Sequence, residues 1–200
     1  MNAQIKAGIK AGVVPAFSPN THYMIMNREN PRNEFVANVS SIQNGTSIGA
    51  FAQIGLEKSF FLRAEALYNQ YETNYEMRYT WGERFRSSNE TQYVEKTKRL
   101  DIPVSLGANL GNFEVITGLV ARFILDNQNE MRGIAGYSES MSPIQFGLQS
   151  GIGLNILNLN IGLTYQMDFQ NYGEHIYING RNMDLQNRPT RLIASIAYTF

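Results

Sequence analysis

The chain has 200 residues, 17 basic against 17 acidic, and no cysteine. Balanced charge leaves no field to attract nucleic acid, and the lack of cysteine excludes structural disulfides, thiolate metal sites and cysteine nucleophiles. No run approaches the roughly 18 apolar residues of a membrane helix, and the length suits one domain over residues 1–200.

Met1-Asn2-Ala3-Gln4 reads as a new initiator Met joined to a mature start, any export signal having been removed. A first strand, Ala3 to Val14, alternates Ile5, Ala7, Ile9, Ala11 and Val13 with Lys6, Gly8, Lys10 and Gly12. Pro15 to Asn44 is too polar and broken for continuous structure and is expected to be a long loop. Strand two, Thr46 to Leu56, places Ile48, Ala50, Ala52, Ile54 and Leu56 on one face, and Glu57-Lys58-Ser59 turns the chain. In strand three, Phe60, Leu62, Ala64, Ala66 and Tyr68 oppose Phe61, Arg63, Glu65, Leu67 and Asn69. The pattern then loosens into a second excursion, Gln70 to about Tyr93.

Strand four, Lys98 to Leu110, sets Leu100, Ile102, Val104, Leu106, Ala108 and Leu110 against Arg99, Asp101, Pro103, Ser105, Gly107 and Asn109. Gly111-Asn112 is a two-residue hairpin signal. Strand five opposes Phe113, Val115, Leu119, Ala121, Phe123 and Leu125 to Glu114, Gly118, Arg122 and Asp126, before a third loop from about Asn127 to Ser142. Strand six carries Ile144, Phe146, Leu148, Ile152 and Leu154, with a turn expected at Asn155-Ile156, and strand seven runs from Leu157 to Phe169. A last loop, Gln170 to about Arg188, leads to the final strand, Arg191 to Phe200, where Leu192, Ala194, Ile196, Tyr198 and Phe200 are apolar. First and last strands can pair and close a barrel without edges.

Eight strands joined by loops that alternate long and short describe an all-β, antiparallel, up-and-down transmembrane barrel. Four long loops fall at one end, expected to be extracellular; the termini and three tight turns fall at the other, expected to be periplasmic. Alternation alone also fits a soluble lipocalin-like calyx with its apolar face inward. Glycine-rich polar faces suit a cramped interior instead, and the apolar face ends in two aromatic girdles. These are Phe60, Phe113, Tyr198 and Phe200 near the tight turns, and Tyr68, Phe123, Tyr165 and Phe169 near the long loops. Outer-membrane lipid and lipopolysaccharide are then the surrounding partners. Ile196, Tyr198 and Phe200 form the terminal pattern expected of a signal to the outer-membrane assembly machinery.

Leu100-Asp101-Ile102-Pro103-Val104, followed by Gly111-Asn112 and the Gly118-bearing strand, resembles the Leu-Glu-Ile-Pro signature of the PorT-like small outer-membrane barrels of Bacteroidetes, with Asp101 in place of Glu. The resemblance implies an eight-stranded outer-membrane barrel, in a family whose members mostly have no assigned activity.

The polar faces carry Arg63, Glu65, Arg99, Asp101, Glu114, Arg122, Asp168 and Arg191, with Lys6 and Lys10 on the first strand. Four Arg meeting four carboxylates make a paired internal plug, since desolvated charges must be paired; a gated polar pathway is the alternative. A two-residue turn at Gly111-Asn112 places Asp101 directly opposite Arg122. No spacing suggests a metal or cofactor. The two histidines, His22 and His175, stand in different loops. An enzyme reading joins His175 with Glu174 and Ser138, Ser140 or Ser142 as a lipid-modifying site at the rim. Asp126-Asn127-Gln128-Asn129-Glu130 has oxygen ligands for calcium, but Met131 stands where the loop Gly is needed. Tyr71, Tyr75, Tyr79, Trp81, Phe85 and Tyr93, interleaved with Arg78, Arg84 and Arg86, form an aromatic polar hairpin. It is either a binding surface for extracellular carbohydrate or protein or a strand extension whose rings pack on one another. The reading is a non-enzymatic surface or envelope barrel.

Overall fold

The computed structural model describes residues 5–15, 21–26, 34–42, 45–56, 59–80, 88–134, 136–178, 180–183 and 188–200. Among them the strands run β1 (Ile5–Val14), β2 (Thr21–Met26), β3 (Glu34–Ile42), β4 (Gly45–Gly55), β5 (Phe60–Thr80), β6 (Ser88–Leu110), β7 (Phe113–Asn129), β8 (Tyr137–Glu139), β9 (Ile144–Ile156), β10 (Leu159–Asp168), β11 (Ile176–Ile178), β12 (Arg181–Asn182) and β13 (Thr190–Thr199). A 3-10 helix, Glu130–Gly133, follows β7.

Strands β5, β4, β1, β13, β10, β9, β7 and β6 pair in that order, all antiparallel, and β6 returns to β5. This eight-stranded ring has no free edge. First and last strands meet as the alternation requires, with Ile9 opposite Tyr198 and the Phe200 amide donating to the Ala7 carbonyl at 2.9 Å.

Which face is apolar decides between membrane barrel and calyx. Leu110 and Ile152 are each 62% exposed, whereas Arg122 and Asp101 are each 0% exposed. The apolar face points outward, so the calyx is excluded. Both aromatic sets lie on that outer face, and Tyr68, Leu100 and Phe123 fall in one cross-strand row. Among the described residues no helix is long and apolar enough to cross a membrane; the outward apolar face of the closed ring is the surface that meets lipid.

The interior is filled to contact. Arg63 lies between the Phe51 and Phe61 rings, 5.2 and 4.9 Å from their centroids. It donates to Glu114 at 2.8 and 2.9 Å and to Gln53 at 2.7 and 3.0 Å, so almost all of its donors are used. Glycine makes the room: a Cβ on Gly107 would stand 2.2 Å from the Phe61 ring, and one on Gly147 2.1 Å from Arg122 Nη1. Ile116, Val120 and Ile193 are buried on the same inner face.

Several expected boundaries move. Pro15 to Asn44 is not continuous loop: β2 and β3 pair with each other, and β3 extends the ladder along β5. Gln70 to Tyr93 is likewise largely strand, because β5 and β6 stay paired from Phe60–Ala108 up to Thr80–Ser88. The third and fourth loops contain the 3-10 helix and a small sheet in the order β12, β11, β8. The turn expected at Asn155-Ile156 falls two residues later, at Leu157-Asn158, with Leu157 at φ 56°. A shift of two preserves which side chains face inward. Glu57-Lys58 lies outside the described residues.

A bulge separates Asp126 from the interior. Lys98 pairs with Asp126 but Arg99 pairs with Ile124, so Leu125 is an extra residue and the faces of β7 exchange beyond it. Asp126 therefore joins Lys98 in an exposed ion pair at 3.3 Å, outside the barrel wall.

Candidate functional site

The interior charges fall into two groups. Toward the tight turns, Lys10 meets Glu65 at 3.0 Å beside the Arg63–Glu114 pair. Lys6, on the same strand, is exposed and belongs to neither group. Toward the long loops, Arg99, Arg122 and Arg191 surround Asp101 and Asp168. The contacts are Arg99–Asp101 at 2.9 Å, Arg122–Asp168 at 3.0 Å and an Arg191–Asp168 pair in direct contact. Asp101 is opposite Arg122 in the ladder, but their ion contact is the longer one at 3.7 Å. Tyr71 covers this group: its hydroxyl accepts from Arg99 at 3.1 Å, and the Arg99 and Arg191 guanidinium groups lie 4.9 and 5.2 Å from its ring centroid.

Above Tyr71 the wall continues but its chemistry inverts. Phe61, Arg63, Glu65, Leu67, Asn69, Thr73, Tyr75 and Met77 are all buried, an unbroken inward series with period two. Below residue 70 their outward neighbours are apolar; above it they are Glu72, Asn74 and Glu76. Tyr75 and Met77 then pack with Val39, Met131, Tyr172, Ile176 and Met183, a second apolar core beyond the lipid-facing belt, and Tyr93 packs against it.

Between this core and the charged group lies a cavity of about 370 Å³. Its floor includes Arg191, Asp168 and Tyr71, its wall Glu95 and His175, and its rim Ser140 and Ser142. Glu95 is held three ways: by His175 Nε2 at 2.9 Å, by the Tyr75 hydroxyl at 2.8 Å and by Asn127 Nδ2 at 2.9 Å. Burial alone would raise this carboxyl, but those three hydrogen bonds leave it below its ordinary range. Burial alone would lower the His175 imidazole; the hydrogen bond and charge of Glu95, with Glu139 and Glu174 nearby, hold it above its ordinary value instead. Burial and then Glu95 push the Tyr75 phenol well up.

This changes the expected partnership of His175. Glu174, adjacent in sequence, accepts from the Asn171 amide at 3.0 Å and does not orient the imidazole. Glu95, 80 residues away, does. The Ser140 amide donates to the His175 carbonyl at 2.8 Å, extending the β8–β11 pairing by one step and setting these two residues opposite each other. Ser138 is opposite Tyr177, and Ser142 donates to the Ile144 carbonyl at 2.7 Å. His22 is on β2, opposite Asn38, and its side chain lies outside the description.

The aromatic hairpin divides similarly. Tyr71 and Tyr75 turn inward as cavity wall rather than outward as a patch. Tyr79 pairs through its backbone with Phe35 and Asn89; Trp81 and Phe85 fall outside the described residues. In the acidic stretch considered for calcium, Asn129 caps the 3-10 helix through the Met131 amide at 2.9 Å, and Glu130 accepts from the Val94 amide at 2.9 Å. Ile196 and Tyr198 are exposed on β13, with Phe200 just beyond it.

A family model agrees with this architecture. Residues 2–171 match the family model described as outer membrane protein beta-barrel domain. Among solved structures, the outer membrane protein OprG from Pseudomonas aeruginosa is similar at 13% identity and a TM-score of 0.49, over 98% of this chain and 94% of that one. The outer membrane protease OmpT from Escherichia coli is similar at 11% identity and a TM-score of 0.46, over 100% of this chain and 99% of that one. A comparison with curated proteins gave no match. With the family model spanning most of the chain and the apolar face turned outward around a closed ring, this protein belongs to the outer membrane protein beta-barrel family.

Proposed function

We propose that this protein is a non-enzymatic, non-conducting barrel that presents a loop-built vestibule at the cell surface, with the termini and tight turns in the periplasm. One observation carries the reading: the lumen is occupied by its own paired side chains at two levels, while a cavity opens above them among the long connections. An eight-stranded barrel has interior space for little else. The Leu100–Val104 strand supports a place among the PorT-like barrels, and the exposed aromatic terminus, Tyr198 and Phe200, supports handling by the outer-membrane assembly machinery.

Because the chain has no cysteine, orientation can be tested with single replacements. Ser140→Cys should react with a membrane-impermeant maleimide on intact cells, and Asn112→Cys only after the outer membrane is permeabilised. The reverse pattern would sink the surface assignment.

A second reading, an enzyme acting on outer-membrane lipid, is favoured by the His175–Glu95 hydrogen bond with Ser140 opposite His175 at the same cavity. Incubation with lipopolysaccharide and phospholipid, followed by mass spectrometry, tests it. Absence of product, or product undiminished in His175→Ala, removes it.

A further inference from the structure

The buried charged groups of the vestibule are already paired. Arg191 is paired with Asp168 and His175 with Glu95, while Arg99 and Arg122 share Asp101 behind the floor. Glu174 belongs to the solvated rim. With His175 protonated, four cations (Arg99, Arg122, Arg191, His175) therefore stand against four carboxylates (Asp101, Asp168, Glu95, Glu174). Counted together, these groups leave no net charge to favour an anion or a cation.

Uncharged hydrogen-bonding capacity, in contrast, is left over. Tyr172, 6% exposed, has a buried hydroxyl without a partner among the described residues; the Thr190 backbone is near it but short of hydrogen-bond geometry. Gln170 Oε1 and Arg191 Nε are buried and equally unpartnered. All three residues line the cavity. Gln170 Oε1 can only accept, Arg191 Nε can only donate, and the phenol does either. An anion would leave Gln170 Oε1 unserved and an ammonium would leave Arg191 Nε unserved, whereas a hydroxyl can serve both. The volume, about 370 Å³, is at the small end of ligand pockets, which limits the occupant to one small molecule or one terminal unit of a larger one.

We propose that the vestibule binds a hydroxyl-rich, uncharged group of monosaccharide size, either a free sugar or the terminal residue of a surface glycan. This rests on the surface-presenting reading above.

The test uses the full chain in detergent, with boiling-dependent gel mobility as the check on folding. Binding is read by saturation-transfer NMR with glucose and galactose, their methyl glycosides, acetate and glucuronate as anions, and glucosamine as a cation. Neutral sugars should bind, and Tyr172→Phe and Gln170→Ala should each weaken them by about three- to tenfold with mobility unchanged. Methyl glycosides binding as well as free sugars would identify a glycan terminus; free sugars alone would identify a soluble sugar. Binding only by the anions or glucosamine, unchanged affinity in both variants, or no binding by any probe overturns the proposal. The surface-presenting reading fails separately, on the maleimide pattern.

Discussion

Asp168→Asn keeps the shape of a side chain while removing one negative charge from the place where three guanidinium groups converge. Arg191 is in contact with Asp168, Arg122 is at 3.0 Å and Arg99 at 3.9 Å. Asp101 has two such neighbours, Arg99 at 2.9 Å and Arg122 at 3.7 Å. At an effective dielectric of about 20, unit charges attract by about 5.5 kcal/mol at the 3.0 Å Arg122–Asp168 distance and about 4.5 kcal/mol at the 3.7 Å Arg122–Asp101 distance. Those are gross attractions; removing one partner of a buried pair costs about 3–5 kcal/mol net. Asp168→Asn should therefore fall near the top of that range and Asp101→Asn near the bottom. Guanidinium unfolding of the barrel in lipid vesicles, followed by circular dichroism, would give both values. In double-mutant cycles Arg122 should couple more strongly to Asp168 than to Asp101. If Asp168→Asn cost under about 1 kcal/mol, or less than Asp101→Asn, the ion-pair account of the interior would be wrong.

The Glu95–His175 link makes the outer core pH-dependent. His175 has a raised folded value, so its contribution is full below the ordinary imidazole range and is lost as pH climbs through the raised one. Glu95 has a lowered folded value, so its contribution is full above the ordinary carboxylate range and is lost as pH falls through the lowered one. Amide exchange across residues 171–178, corrected for intrinsic rates, should show greatest protection between those limits; protection that keeps rising into alkali would contradict the link. At the turn, Leu157 is 100% exposed with φ 56°, so it packs against nothing and occupies a left-handed backbone conformation. Leu157→Gly should raise stability by about 0.5–1 kcal/mol, the relief of strain being partly offset by glycine's unfolded-state entropy. A lowered unfolding midpoint would show that the leucine has another role.

The membrane-crossing part of the fold was legible because one chemical rule holds along it. From Phe60 to Tyr68 or from Leu100 to Leu110 every outward residue is apolar, while the inward ones are polar or small apart from Phe61 and Leu67, so period-two alternation reveals the strands and their faces. The same alternation continues above Gln70 with its sign reversed, since the outer side there faces water and the inner side faces the second core: Tyr75 and Met77 inward, Glu72 and Glu76 outward. A reading that seeks apolar-out alternation loses the strand where lipid ends, although the hydrogen-bond ladder runs on to Thr80. That one inversion also concealed the site. Glu95 falls between the excursion ending at about Tyr93 and the strand beginning at Lys98, assigned to neither, so the sequence offers His175 only its neighbour Glu174. Register did place Asp101 opposite Arg122. The larger share that Asp168 takes of Arg122 comes from strand β10, which no local register rule connects to β7. The bulge at Leu125 left no turn residue or glycine to mark it.

Closure of the lumen by its own side chains is the central claim, and single-channel recording tests it most directly. Purified barrel, shown to be folded by its boiling-dependent mobility, would be inserted into planar bilayers under applied voltage. With Arg63–Glu114 and the Arg99, Arg122, Arg191, Asp101 and Asp168 group in place, the expected record is a flat baseline without stable openings. Charge-neutralising both levels at once is the matched positive control, and leak should then appear. Steady conductance of porin size from the unaltered protein would contradict the account.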